Sequence, residues 1–210
     1  MSLFLGKIHH WLYNKILWYE EAEKEIIKLA ERQGVEVGAL VDRINREYGQ
    51  PTNGMPLEEV IDTSNIHGWL QQKIESAELR QAALVTELLD RRPETKTGII
   101  EIYSVQGRKA AGEYQGDVQS PENIFNAMNE YILEGMPCDR VNAVVETNDQ
   151  AYSWETTQCL HRPYWARVGG DVLNFYDFRI AWIKAFVDTI NDRFTYEKTE
   201  DGLNRILMRK

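Results

Sequence analysis

Cysteine is nearly missing from this chain. Its 210 residues hold two, Cys138 and Cys159. A small secreted disulfide scaffold would carry more, and no four-ligand Cys/His zinc spacing is present. Reduced thiols in a cytoplasm fit this usage, and a cytoplasmic location is the expectation. Basic charge is also short: 24 Lys and Arg face 33 Asp and Glu, a formal charge of −9. Sequence-independent nucleic-acid binding and attraction to anionic lipid both need clustered cations, so no nucleic-acid or membrane partner is expected. The most basic run, Arg205 to Lys210, is short. Apolar stretches are broken by Lys, Asp and Asn well before the ~18 residues of a membrane span. The opening "MSLFLGKIHHWLYNKILWYEE" lacks a basic leader and a small-residue cleavage site, so no signal peptide is expected.

The chain is otherwise of ordinary globular composition, 43% hydrophobic and 27% charged, and long enough for one sizeable core or two small ones. Ile8, Trp11, Leu12, Ile16, Tyr19, Ile26 and Leu29 recur at helical steps and predict a helix over 3–33, stopped by Gly34. A shorter helix follows over about 36–48, then the loop "GQPTNG". A third helix starts near Ser64 and ends at Pro93. Beyond it the β-branched run "TGIIEIYSV" predicts a strand. "GRKAAGEYQGDVQ" predicts a loop, and "SPENIFNAMNEYILEG" a helix capped by Ser120 and ended by Gly135. "VNAVVETNDQAYSWETTQ" predicts a hairpin turning at Asn148-Asp149. The helix after Asp171 is apolar on more than one face and is placed at the centre of the fold. "RFTYEKTEDGLNRILMRK" predicts a last hairpin with its turn at Glu200-Asp201-Gly202. The reading is α+β: a helical part, 1–93, packed on an α+β part, 94–210, with an antiparallel sheet.

Histidine is as scarce as proline is modest, and its placement is not random. "IHHWLYNKI" (8–16) returns 58 positions later as "IHGWLQQKI" (66–74), with six of nine residues identical. With a short returning helix between them, the first and third helices should run parallel, bringing His9 and His67 to the same end. Glu20 and Glu78 also coincide in the repeat. Each lies three turns beyond its histidine, roughly 16 Å along the axis. Imidazole is the commonest metal ligand, so one reading is a divalent transition metal or a small ligand held by His9 and His67, with His161 added. The opposing reading is an ordinary core stripe with half-buried histidines, or a remnant duplication. The Glu-x-x-His pair of di-iron bundles is missing: Gly6 and Ser64 stand three residues before the histidines.

A second constellation is Cys159-Leu160-His161-Arg162. A thiol, an imidazole and a guanidinium at a strand end can favour thiolate, and alternation on a strand would point Cys159 and His161 the same way. The alternative is a structural thiol and a surface histidine. Cys138, in a loop, reads as structural. The "VGGDV" turn reads as a capped turn rather than an anion site. The aromatic residues of this half read as core, with a subset lining an apolar pocket.

The stretches "WETTQCLHRPYWARVGGD", "NFYDFRIAW" and "YEKTEDG" resemble the C-terminal part of the L-2-amino-thiazoline-4-carboxylic acid hydrolase-like family, over about a third of the chain. The resemblance implies a turn cysteine at Cys159 and an aspartate at Asp177. Phe175, Tyr176 and Phe178 stand where that family carries a helix cysteine. The functional expectations are therefore three. The first is a small-ligand or metal-binding protein with a His-containing pocket between the helical part and the sheet. The second is a hydrolase of a small cyclic amide or thiazoline, with Cys159 as nucleophile and His161 or Asp177 as acid–base partner. The third is a homodimer built through its helices, without catalysis.

Overall fold

A computed structural model describes residues 5 to 209. In chain order the elements are α1 (Lys7–Arg32), α2 (Gly38–Tyr48), α3 (Leu57–Val60), α4 (Ile66–Arg91), α5 (Thr95–Glu113) and α6 (Pro121–Met128). A 3₁₀ turn (Pro137–Asp139) leads to β1 (Asn142–Thr147) and β2 (Ala151–Thr156), then α7 (Arg162–Arg167), α8 (Val172–Ile190), β3 (Phe194–Lys198) and β4 (Asn204–Met208). The α+β class is as expected. The helix predicted over 3–33 is α1; residues 3 and 4 of that range lie outside the described residues.

The chain forms two compact units that interleave along the sequence, so the division does not fall at a single point near residue 93. One unit holds the chain up to Gly98 with Ile132–Met136 and His161–Val172; the other holds Ile99–Tyr131, Pro137–Leu160 and Leu173 onward.

In the first unit α4 packs against α1, α2 and α7. Cross-helix bonds from α1 to α4 keep a nearly constant sequence offset: His9 to His67, Tyr19 to Glu78, Glu20 to Arg80. A constant offset over three turns is possible only if the two helices run parallel. The duplicated phrase is thus a structural repeat. Leu12 and Leu70, Ile16 and Ile74, Ile26 and Leu84, Ala30 and Leu88 are all buried in matching places. Each fully buried Leu or Ile contributes about 1.5–3 kcal/mol through removal of apolar surface from water. The caps differ between copies. Asn65 accepts from the Gly68 N–H at the start of α4, one residue beyond the predicted cap Ser64. At the start of α1 the Gly6 N–H donates to Nδ1 of His9, so a histidine fills the N3 place that Glu or Gln takes in a capping box.

In the second unit four antiparallel strands are ordered β1-β2-β4-β3, joined by the two predicted hairpins. The first turns at Asn148, whose side-chain Oδ1 accepts from the N–H groups of Gln150 and Ala151, the Asx geometry that favours this residue in turns. α6 lies on β2 and β4, with Phe125 against Tyr152 and Trp154 at ring separations of 4.5 and 4.8 Å. It starts at Pro121 after the Ser120 cap as predicted but ends at Met128, short of Gly135. α8 begins directly after Asp171 and buries Phe175, Phe178, Trp182, Ile183, Phe186 and Val187.

Two neighbouring readings are corrected. "TGIIEIYSV" is not a strand, and "GRKAAGE" at the start of the expected loop is not a loop; both are part of α5. The β-branched residues of the first mislead, because packing overrides a propensity of a few tenths of a kcal/mol per residue. The buried positions Ile99, Tyr103, Gln106 and Ala110 repeat every three to four residues, which is helical spacing. Gly107 lets α5 approach α8 closely: a Cβ there would stand 2.4 Å from the Trp182 carbonyl oxygen.

Candidate functional site

The parallel helices bring His9 and His67 together, Nε2 to Nε2 at 3.4 Å with ring centres 5.5 Å apart. His9 is half-buried and His67 exposed. The Gly6 N–H donates to His9 Nδ1 at 3.0 Å, so that nitrogen carries the lone pair and the neutral ring holds its proton on Nε2. The pair is then an N–H···N hydrogen bond with His67 as acceptor. A metal on His9 Nε2 would need that proton moved to Nδ1, where it would meet the Gly6 donor. Among the described residues no group of three or more His, Cys, Asp or Glu is arranged to hold a metal ion.

Partial burial, then the neighbouring His67 and His10, hold the His9 pKa below the usual histidine value. As pH falls through about 6.5 the unfolded chain therefore takes up its proton first, and the native state loses stability. Acidification from pH 7 to 5 is expected to loosen the start of α1, seen as faster amide exchange at residues 7–12. His67→Ala should flatten that pH response. An unchanged response in the variant would remove the pair as its cause.

His161 is not with them, and it is not on the surface. It is 1% exposed, on α7's N-terminal side after β2 has already ended at Thr156. Cys159 and His161 therefore do not alternate along a strand. His161 Nδ1 meets Glu78 Oε1 at 2.9 Å and Nε2 meets Glu134 Oε1 at 3.3 Å. Burial opposes charge on the ring, but Glu78 and Glu134 outweigh it and push the pKa up to about 9. His161 is thus an imidazolium at neutral pH, donating from both nitrogens. Glu78 lies eleven residues beyond His67 on α4, so His161 sits about three turns away from the histidine pair.

Glu78 belongs to a buried ionic layer across α1 and α4. Tyr19 donates to its other oxygen at 3.0 Å. Beside it Arg80, fully buried, bonds Glu20 at 2.8 Å and Glu23 at 3.1 Å. Burial raises the Glu23 pKa, while Arg80 acts in the opposite direction. The repeated glutamates Glu20 and Glu78 thus meet different cations, one a guanidinium and one an imidazolium. Sequence reading noticed the glutamates but not Arg80. The available signal was a cation on the apolar stripe, three places after Ala77 and four before Leu84.

Arg80 also reaches outward. Its Nη1 donates to Ser76 Oγ at 2.8 Å and to the Gly49 carbonyl at 3.3 Å. Ser76 in turn donates to the Tyr48 carbonyl. Gly49 ends α2 with φ +99°, and a Cβ there would come within 2.8 Å of Ser76 Oγ, so glycine is required for this junction. Above it opens a cleft of about 340 Å³, whose walls include Glu47, Tyr48, Trp69, Lys73, Glu75 and Arg167. Arg167 pairs with Glu75 at 3.2 Å and lies over the Tyr48 ring.

Lys73 differs from its counterpart in the repeat. Lys15 is buried with its ammonium 3.4 Å from the Trp11 ring centre. Lys73 stands 5.6 Å from the Trp69 ring and reaches only the Gln50 carbonyl, at 3.4 Å. Burial lowers its pKa, with Glu20 opposing and Arg80 assisting. It has no carboxylate within ion-pair distance among the described residues.

In the second unit Cys159 is half-buried and lines a separate cavity of about 480 Å³ with Glu155, Thr156, Tyr176 and Lys198. The Lys198 ammonium lies 4.9 Å over the Tyr176 ring. Asp177, on α8, is exposed and does not line that cavity. Cys138 is exposed. No protein-family model, curated protein or solved structure matches the chain. Among the described residues no helix is long and apolar enough to cross a membrane.

Proposed function

We propose that this protein binds a small organic carboxylate in the cleft beside α2, α4 and α7. The observation that supports this reading is Lys73. It is a partly desolvated ammonium at the wall of a cleft, with no carboxylate to neutralise it among the described residues. A cation so placed gains from an anion more than a fully solvated one does, because a single neutral carbonyl replaces only part of the water it has lost. Trp69 and Tyr48 supply flat apolar walls for the rest of the molecule. The cleft volume lies at the lower end of the ~300–1,000 Å³ usual for small-ligand sites. The Arg80 network beneath it holds Ser76 and Gly49 in place, which reduces the ordering cost of binding.

The test uses 3-phenylpropanoate and its methyl ester as probes, titrated calorimetrically into the full chain at low salt. The acid is expected to bind and the ester not. Lys73→Met should weaken the acid by roughly 10- to 100-fold, the range for a charge-assisted hydrogen bond of about 1.5–3 kcal/mol, with an unchanged circular dichroism spectrum. Equal binding of acid and ester, or equal binding by wild type and Lys73→Met, would overturn the assignment of Lys73.

A further inference from the structure

The cleft carries charge of both signs, and that balance restricts what it can hold. Four charged side chains line it: Lys73 and Arg167, Glu47 and Glu75. Arg167 and Glu75 satisfy each other at 3.2 Å. That leaves one cation and one anion unmatched. Lys73 has no carboxylate partner, and Glu47, exposed at the end of α2, has no cation within ion-pair distance among the described residues. Glu47 acts on the neighbouring Tyr48 instead: after burial, it is the next cause that raises the Tyr48 phenol pKa. A purely anionic ligand would satisfy Lys73 but would add a negative charge beside Glu47, and like charges in one cleft oppose binding. A purely cationic ligand has the converse problem.

We infer that the ligand is amphoteric, a small molecule bearing a carboxylate and an ammonium on a flat apolar body, of the size and type of an aromatic α-amino acid. This rests on the assignment of Lys73 as the carboxylate site and adds Glu47 as the residue that selects for the second charge. The carboxylate lies toward Lys73, the ammonium toward Glu47, and the ring against Trp69 or Tyr48. The Arg167–Glu75 pair closes the rim without contributing net charge. Specificity then comes from two opposite charges placed on one cleft, each of which penalises a ligand lacking its complement.

Three probes of one carbon skeleton separate the possibilities: L-phenylalanine, 3-phenylpropanoate and phenethylamine, titrated into the full chain at pH 7 and low salt. L-phenylalanine is expected to bind at least about 10-fold more tightly than either single-charge probe. In Glu47→Gln its advantage over 3-phenylpropanoate should vanish, while 3-phenylpropanoate itself binds equally well or better. Glu47 is exposed, so this variant leaves the fold intact, and an unchanged melting curve checks that. If 3-phenylpropanoate equals L-phenylalanine in the wild type, the amphoteric assignment is wrong while the Lys73 site stands. If phenethylamine binds best, the carboxylate assignment of Lys73 is wrong as well. If none of the three binds, the cleft is not a site for this class of ligand and both readings fall.

Discussion

Arg80→Met is expected to lower the native stability by about 3–5 kcal/mol, the usual cost of removing one partner from a buried ion pair. The guanidinium is completely buried between Glu20 and Glu23 and also donates to Ser76 and the Gly49 carbonyl. Methionine matches its length and apolar stem but restores none of these bonds. Glu20 keeps its bonds from the Thr52 backbone N–H and hydroxyl. Among the described residues Glu23 has only Arg80 as donor, and burial already pushes it toward its protonated form. Without the guanidinium the carboxylate pair must bind a proton to remain buried. The sign of the pH dependence follows: the folded variant holds more protons than its unfolded chain, so its stability falls as pH rises from about 5 to 8. Urea unfolding at both pH values checks this. The deficit against wild type should be larger at pH 8, and Glu23→Gln added to Arg80→Met should recover part of it. A deficit below about 1 kcal/mol that ignores pH would show that the layer is hydrated rather than dry. The same variant tests the cleft, since Ser76 and Gly49 lose the donor that fixes them. Ligand binding should weaken even where Lys73 is untouched.

What could be read from the sequence follows from the range of the interactions concerned. α1 and α4 were legible because the apolar positions Leu12, Ile16, Leu70 and Ile74 repeat at helical spacing and each helix is longer than any competing local structure. The parallel pairing was legible because one short returning helix separates the two copies of the phrase, and side-by-side imidazoles followed from it. The hairpins were legible from turn chemistry at Asn148-Asp149 and Glu200-Asp201-Gly202. α5 was not, because Ile99, Ile100, Ile102 and Val105 carry strand propensity while the burial that decides the matter is tertiary. His161 was misplaced for a related reason. Its proximity to Cys159 in sequence suggested a shared strand, but its actual partners are Glu78 and Glu134, 83 and 27 residues away. Lys73 and Arg167 meet at one cleft across more than ninety positions of sequence, and no local pattern announces such a meeting. The repeat also concealed a difference. Lys15 and Lys73 are the same letter in the same phrase, yet one is spent on a tryptophan face and the other is left at a cleft wall.

The second large effect concerns His161, and its pH dependence has the opposite sign to that of His9 at the start of α1. In the unfolded chain its pKa is near the ordinary 6.5; in the native state Glu78 and Glu134 overcome burial and raise it to about 9. A raised folded pKa means that the native state binds the proton more tightly. The stabilisation is therefore fully present below pH 6.5 and is lost as pH rises through 9. A difference of this size corresponds to on the order of 3 kcal/mol. It applies to a fully buried group, so solvent screening does not reduce it as it would a surface pair. His161→Gln keeps a donor of similar shape but no titratable charge. The expected result is a wild type that loses stability relative to His161→Gln between pH 7 and 9.5, with the two curves converging at the alkaline end. Taking the difference between the two proteins cancels every group that both share. Parallel curves across that range would mean that the ring is neutral in the native state, and that a proton resides instead on Glu78 or Glu134. In that case one ring nitrogen of His161 would accept a hydrogen bond from the protonated carboxyl and the other would donate to the remaining carboxylate.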